Sequence, residues 1–273
     1  LTILITGITG FLGTRIAQAC LNRGIFDIVG LAHSEIRDKD FIYTVSGVKT
    51  YSVDIANDSD MIDHIIKKHD VDYIIHTAAM KHIGICEDNP NKAIDVNIFG
   101  SQKLARAAIN NGVKNIIAIS TDKSINPSCV YGSTKFLMEK LMLEFDFSVF
   151  QGVNFFFSTG SVLDLWDSFR KDKLPIAVNT NNTIRYFVTA EDVAELLLDS
   201  LDKNGETISM NTCYRAGLHD LYAAYAEYHQ YFDRKEYISI SAEKLVEELP
   251  EGVEVIEATP EILKKQFKKY YGD

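Results

Sequence analysis

The sequence predicts an α/β fold, a doubly wound parallel sheet with a smaller, partly interleaved C-terminal domain. Short β-branched runs alternate with amphipathic helical stretches, the pattern of βαβ units feeding a parallel sheet. Runs such as Ile3-Leu4-Ile5-Thr6 and Asn115-Ile116-Ile117-Ala118-Ile119 are apolar at nearly every position, as strands covered on both faces must be. Beyond residue 157 the alternation gives way to a mixed order of helices and strands, which marks the second domain.

The first strand spans residues 2–6, and a helix over 11–23 follows it until Gly24 stops it. Strands at 28–31 and 49–53, a helix over 58–68 and a strand over 72–76 continue the alternation. A long helix over 91–111 ends at Gly112, and the next strand covers 115–120. A helix over 130–145 and a strand over 153–157 close a first domain set at residues 1–157. The second, residues 158–273, holds helix 162–171, strand 185–188, helix 191–202, strand 206–210 and helix 218–232, with some segments returning to the first sheet. In the last of these helices Tyr222, Tyr225, Tyr228, Tyr231 and Phe232 fall at helical spacing, which points to the core or to subunit packing.

Composition narrows the function classes. The 273 residues are 46% hydrophobic and 24% charged, ordinary for a globular protein, with 28 basic against 38 acidic side chains and a net charge of −10. Such a field repels polyanions, and no basic cluster offsets it, so no nucleic-acid partner is expected. Cys20, Cys86, Cys129 and Cys213 show no paired spacing, which predicts neither a disulfide frame nor a metal site. No apolar run approaches the roughly 18 residues of a membrane span. A cytoplasmic homo-oligomer without membrane contact is therefore expected, although Leu1 is not a natural start.

Chemistry enters at the first strand–helix junction, Thr6-Gly7-Ile8-Thr9-Gly10-Phe11-Leu12-Gly13. Gly7 permits the tight turn, Gly10 lets backbone approach a pyrophosphate, and Gly13 lets helix pack on strand, so the sheet is of the Rossmann type and binds a dinucleotide. Thr9, Phe11 and Leu12 complete the cradle. Cofactor choice falls at the end of the second strand, where Ala32, His33 and Ser34 stand instead of a carboxylate. His33 and Arg37 suit the 2′-phosphate of NADP, while Glu35 leaves NAD open. Asp54 and Ile55 are placed to border the adenine.

Tyr131 and Lys135 form a YxxxK pair, one helical turn apart on one face. An ammonium beside the phenol would lower its pKa, so that the tyrosine can take a proton from a sugar hydroxyl. Ser120-Thr121-Asp122-Lys123 precedes this pair at the carboxyl end of a strand, where ligands bind in such sheets. Asp122 and Lys123 add an acid and an amine that simple alcohol oxidation does not need. Oxidising a sugar at C4 makes the C5 proton acidic; a base at C5 and an acid at the C6 hydroxyl would then expel water, with Lys123 the base and Asp122 the acid.

These blocks resemble the extended short-chain dehydrogenase/reductase superfamily, and within it the inverting UDP-N-acetylglucosamine 4,6-dehydratases of the polysaccharide-biosynthesis type. The likeness rests on the glycine loop, Ala78-Ala79-Met80-Lys81-His82-Ile83, Glu87, Asn97, Ser120-Thr121-Asp122-Lys123 with Asn126-Pro127, Tyr131-Gly132 with Thr134-Lys135, Gly160-Ser161-Val162, Arg185-Tyr186-Phe187 and Glu243-Lys244-Leu245. It implies cofactor contacts from Thr77, Ala78, Ala79, Lys81, Ser120, Tyr131 and Lys135. A UDP-sugar would be met by Lys81, His82, Thr121, Asp122, Ser161 and Arg185, the last holding the diphosphate, with Thr121 joining the catalytic group and Asn97 steadying it. The chain departs from the family pattern where Phe155-Phe156-Phe157 runs straight into Ser158-Thr159-Gly160, and where Ile240-Ser241-Ala242 precedes Glu243. A dehydratase is the leading expectation; a nucleotide-sugar 4-epimerase and a silent NADP-binding sensor are the alternatives.

Overall fold

The structure, a computed structural model, describes residues 1–33, 47–179, 183–231, 235–238 and 247–272. Its contacts divide the chain into two units, Leu1–Gly152 with Ala190–Ser209, and Val153–Thr189 with Met210–Asp273. The boundary expected after residue 157 lies five residues earlier, and the segment that returns to the first unit is 190–209.

The first unit is built on seven strands: β1 (Ile3–Thr6), β2 (Ile28–Ala32), β3 (Lys49–Ser52), β4 (Tyr73–His76), β5 (Asn115–Thr121), β6 (Ser148–Gly152) and β10 (Thr207–Ile208). They lie in the order β10-β6-β5-β4-β1-β2-β3, every pairing parallel. This is the doubly wound sheet expected from the sequence. Chain order reverses between β1 and β4, which creates the crevice where ligands bind in such sheets. Helices α1 (Phe11–Asn22), α2 (Ser59–His69), α3 (Ile83–Asp88), α4 (Pro90–Ile94), α5 (Ser101–Asn110), α6 (Val130–Glu144) and α8 (Ala190–Asp199) belong to this unit. One core cluster packs Leu4, Val29, Ile74 and Ile116 of the sheet against Ile62, Ile65, Leu104 and Met138 of the helices. Each such side chain contributes about 1.5–3 kcal/mol of burial.

Two sequence expectations change here. The sheet strand after α6 is Ser148–Gly152, paired with β5, and not 153–157. Residues 153–157 cross into the second unit, where β7 (Asn154–Phe155) pairs with β9 (Ile184–Val188). Burial explains the misreading: Phe156 and Phe157 are buried without being strand, Phe156 stacked on Phe187 at 4.7 Å and Phe157 on Tyr270 at 4.1 Å. The helix expected over 91–111 is helical throughout, but Asp95–Gly100 winds as a π-helix between α4 and α5.

The second unit holds a four-stranded sheet, in the order Glu254–Glu257, Thr212–Gly217, β9 and β7, and a parallel pair of Lys235–Ile238 with Ile176–Asn179. The sequence reading missed β8 (Ile176–Asn179), β11 (Thr212–Gly217), β12 (Lys235–Ile238), β13 (Glu254–Glu257) and α10 (Pro260–Tyr271). α7 (Val162–Lys171) and α9 (Leu218–Tyr228) match helices expected from the sequence, and Trp166 packs against Tyr222 at 5.4 Å and Tyr225 at 5.5 Å. The tyrosine stripe therefore serves the core of this unit at Tyr222 and Tyr225; Phe232 lies outside the described residues.

Candidate active site

The glycine loop turns directly off β1. Gly7 adopts φ +66°, and a Cβ there would stand 2.8 Å from Thr77 Oγ1 and 2.9 Å from the Ala78 nitrogen. Gly10 N–H donates to the Gly7 carbonyl at 2.8 Å, and a Cβ on Gly13 would meet that same carbonyl oxygen at 2.4 Å. The loop is thus packed to the limit of glycine at both ends. Gly10 caps α1 with no side-chain hydrogen bond, the arrangement in which helix N–H groups serve a phosphate. These features fit a dinucleotide pyrophosphate. Thr77 Oγ1 donates to the Thr6 carbonyl at 2.7 Å and fixes the segment Thr77–Lys81 beside the loop.

At the end of β2 His33 is exposed, with Nε2 3.6 Å from Asp54 Oδ2 beyond the end of β3. Burial alone would raise the Asp54 carboxyl, but bonds from Ala56 N–H and Asn57, together with His33, bring it below the usual range. Ile55 is buried next to it. Ser34, Glu35 and Arg37 lie outside the described residues.

The two proposed pairs meet at the β5–α6 connection. Thr121 ends β5, and residues Asp122–Ser124 form a single 3-10 turn. Asp122 is 2% exposed, and Lys123 Nζ donates to its Oδ1 at 3.0 Å and its Oδ2 at 3.3 Å. Thr121 Oγ1 donates to Asp122 Oδ1 at 2.7 Å, and its hydroxyl also acts on the Tyr131 phenol. The lowering expected from Lys135 is not found: burial, then the Asp122 charge, push the Tyr131 phenol above its ordinary value, and the Thr121 hydroxyl opposes them. Lys135 is 3% exposed, and burial pushes its ammonium down to about 8, with the Glu139 charge opposing. α6 can start this close to the turn because Gly132 has no side chain: a Cβ there would lie 2.3 Å from the Lys123 carbonyl oxygen.

Polar side chains link this site to the cradle. Asn97, in the π-helix and 1% exposed, accepts from Met80 N–H at 2.8 Å and donates to the Met80 carbonyl at 2.9 Å and to Thr134 Oγ1 at 3.0 Å. Thr134 Oγ1 donates to the Tyr131 carbonyl at 2.9 Å. The π turn, a frequent mark of functional sites, thereby positions both the Met80–His82 stretch and the start of α6. Ser101 Oγ gives its proton to the Asn97 carbonyl at 2.8 Å, so it accepts from His76 Nε2–H, and His76 Nδ1 in turn accepts from Thr6 Oγ1. Burial, helped by the Lys135 charge, pushes His76 down to about 3, so it stays neutral.

His76 and Glu139 are the residues the sequence reading missed. Glu139 stands one turn past Lys135 on the same helix face, a signal that was visible; His76 carried only its place at the end of an apolar strand. Lys81 and His82 are exposed just before α3.

In the second unit Ser161 caps α7, accepting from Asp164 N–H at 3.4 Å. Arg185 in β9 pairs through Nε with Glu247 Oε1 at 3.1 Å, and the Glu247 side chain is 4% exposed. Glu247 also accepts from Asn154 Nδ2 at 2.9 Å and from Tyr186 N–H at 3.1 Å. Residues 243–245 lie outside the described residues. Among the described residues no cluster of His, Cys, Asp or Glu could hold a metal, and no helix is long and apolar enough to cross a membrane.

Fold and site together make this a Rossmann-type α/β protein whose glycine cradle fits a dinucleotide pyrophosphate. More narrowly, the chain belongs to the polysaccharide biosynthesis protein family, which it matches over residues 3–266. It is 32% identical over 215 residues to the UDP-N-acetylglucosamine 4,6-dehydratase (inverting) of Campylobacter jejuni, covering 74% of this chain and 63% of that protein. It is equally similar, 32% over 212 residues, to the UDP-glucose 4-epimerase of Rickettsia bellii, covering 72% and 61%. The chain therefore spans less than two thirds of the length of these relatives. Among solved structures, Pen from Bacillus thuringiensis superposes with a TM-score of 0.81 at 28% identity, over 91% of this chain and 81% of that one.

Proposed function

We propose that the protein is a nucleotide-sugar 4,6-dehydratase acting on UDP-N-acetylglucosamine with a retained NADP. The observation that carries this reading is the Asp122–Lys123 pair, bonded at 3.0 Å and tied through Thr121 to Tyr131. Oxidation at C4 alone needs Tyr131 and Lys135; an amine and a carboxyl beside them suit elimination. A dinucleotide in the cradle would take the C4 hydride and give it back at C6.

The chain's own residues would supply the proton transfers. Tyr131 takes the proton of the C4 hydroxyl, with the Lys135 ammonium stabilising the phenolate. Lys123, as the free amine, takes the C5 proton; Asp122, as the acid, protonates the C6 hydroxyl as its C–O bond breaks, and water leaves. The pair takes one proton from the sugar and gives one to it. Its net charge is unchanged, which suits a buried site where creating one new charge is costly. Passing the proton from Lys123 to Asp122 along their hydrogen bond resets both, and returning to C5 the proton that Tyr131 took from the C4 hydroxyl restores the phenolate and completes the product. Arg185 and Ser161 are the proposed contacts to the diphosphate and sugar, and Lys81 and His82 to the sugar.

His33 and Arg37 support NADP, and the Asp54 carboxylate beside His33 is the feature that weighs against a 2′-phosphate. The test of function is mass spectrometry of UDP-N-acetylglucosamine after incubation with the protein, where loss of one water is expected. An unchanged mass with an altered sugar would replace this reading by a 4-epimerase, which the name of the Rickettsia bellii relative favours. No change at all would leave a dinucleotide-binding protein without this chemistry.

A further inference from the structure

We propose that Glu139 is a positioning residue that holds the redox pair and the elimination pair in register, by clamping the turn of Asp122 and Lys123 onto the helix of Tyr131 and Lys135. The elimination half of this proposal rests on the dehydratase reading above; the half concerning Lys135 does not.

Glu139 is 6% exposed on α6, and its carboxylate is fully engaged. Oε1 accepts from the hydroxyls of Ser120 and Ser124, and Oε2 accepts from Gln151 Nε2 of β6 at 3.1 Å. Ser120 precedes and Ser124 ends the Thr121–Lys123 step, so one carboxylate grips both ends of the turn that carries the acid and the base.

Glu139 also continues the repeat Tyr131, Lys135, Glu139, each four residues and about 6 Å of helix rise from the last. The groups acting on Lys135 are few. Glu139 acts on it from the same helix, neutral His76 of β4 feels its charge, and Asp122 acts on Tyr131 from the turn. Glu139 is the carboxylate that opposes the effect of burial on the ammonium. Packing alone does not call for it: its helix neighbours Met138 and Met142 are buried apolar side chains, and an apolar residue would avoid the desolvation of a carboxylate.

Two variants separate clamp from charge. Glu139→Gln removes the charge and one of the two acceptor oxygens, so that an amide N–H would face Gln151 Nε2 or a serine hydroxyl; Ser124→Ala removes one clamp bond and keeps the charge. With 15N-lysine labelling, the Lys135 resonance, assigned by its absence in Lys135→Met, should titrate about one unit lower in Glu139→Gln and unchanged in Ser124→Ala. In single turnovers with UDP-N-acetylglucosamine, both variants should slow water loss about tenfold or more relative to cofactor reduction, because both loosen the turn. An unmoved Lys135 titration in Glu139→Gln, or an unchanged ratio of water loss to cofactor reduction in Ser124→Ala, would overturn the proposal. Should Glu139→Gln not fold, Ser124→Ala and Ser120→Ala carry the kinetic arm alone. The titration needs no turnover: a wild-type protein that leaves UDP-N-acetylglucosamine untouched while Lys135 shifts as expected sinks the dehydratase reading and spares the role of Glu139 toward Lys135.

Discussion

Gly132→Ala tests the closest backbone approach in the site. The added Cβ would stand 2.3 Å from the Lys123 carbonyl oxygen and 3.1 Å from its carbon, and neither atom can swing aside as a side chain would. Restoring ordinary contact requires the start of α6 and the Asp122–Ser124 turn to part by about 1 Å. Alanine within a helix gains about 1 kcal/mol over glycine, while forcing apart a packed contact costs about 1–3 kcal/mol, so stability should fall by about 0–2 kcal/mol. Catalysis should suffer far more, since a displacement of about 1 Å between reacting groups costs on the order of 100-fold in rate. The assay is single-turnover water loss from UDP-N-acetylglucosamine alongside thermal unfolding. Gly84→Ala is the control: it lies in α3 with open space around its Cβ position and should stabilise slightly without slowing turnover. A Gly132→Ala protein within threefold of wild-type rate and with a raised Tm would refute the claim that glycine here sets the distance between the two pairs.

Other expectations follow from the same geometry. Gly13→Ala, whose Cβ would meet the Gly7 carbonyl oxygen at 2.4 Å, should purify without the dinucleotide that wild-type protein releases on denaturation; NAD in that supernatant would overturn the reading of His33 and Arg37. Lys123→Ala should lower dehydration by about two to four orders of magnitude with cofactor still bound, and near-normal turnover would reduce the turn to a structural loop. Arg185→Ala should raise KM for the nucleotide-sugar more than it lowers kcat; a Tm loss at unchanged KM would instead mark the Glu247 ion pair as its whole role. His76, held at about 3 when folded against 6.5 when free, binds its proton in the unfolded chain first, so stability should fall as pH drops from about 6.5 towards 3. His76→Gln should flatten that limb in denaturant titrations, and an unaltered limb would show that other groups cause it. Lys135, lowered to about 8 from 10.5, has the same sign in another window: stability should rise as pH climbs from about 8 to 10.5, and Lys135→Met should abolish that rise.

Most of the first unit was legible because strands such as β1, β2 and β4 are buried on both faces, and its glycines sit where βαβ geometry demands them. The second was less so. Its sheet joins β7, β9, β11 and β13 from distant parts of the chain, and strands such as Thr212–Gly217 and Glu254–Glu257 carry mixed polar residues that no periodicity singles out. The strand expected at 153–157 failed for a related reason: three successive phenylalanines look like a central strand, yet Phe156 and Phe157 are core fillers past the end of a two-residue strand. In the site, the pairs Asp122–Lys123 and Tyr131–Lys135 could be read from spacing alone. Their supports could not, because Asn97 acts from a π turn that ordinary helical periodicity hides, and His76 acts through partners 25 and 70 positions away.

Those supports explain how one short connection could host two kinds of proton chemistry without confusing them. From the cradle side, Thr6, His76, Ser101, Asn97 and Thr134 form an unbroken line of hydrogen bonds ending on the Tyr131 carbonyl. The tyrosine backbone is thereby referenced to β1, the strand from which the dinucleotide loop springs. From the other side, Glu139 and Gly132 reference the Asp122–Lys123 turn to the same helix. α6 is therefore the common ruler: its first turn faces the cofactor line and its third grips the elimination turn. A fault in the line through His76 should disturb C4 oxidation and elimination together, since elimination requires the ketone. A fault at Ser124 should disturb elimination alone, and that asymmetry, measured as cofactor reduction against water loss in the two variants, follows from where the bonds lie.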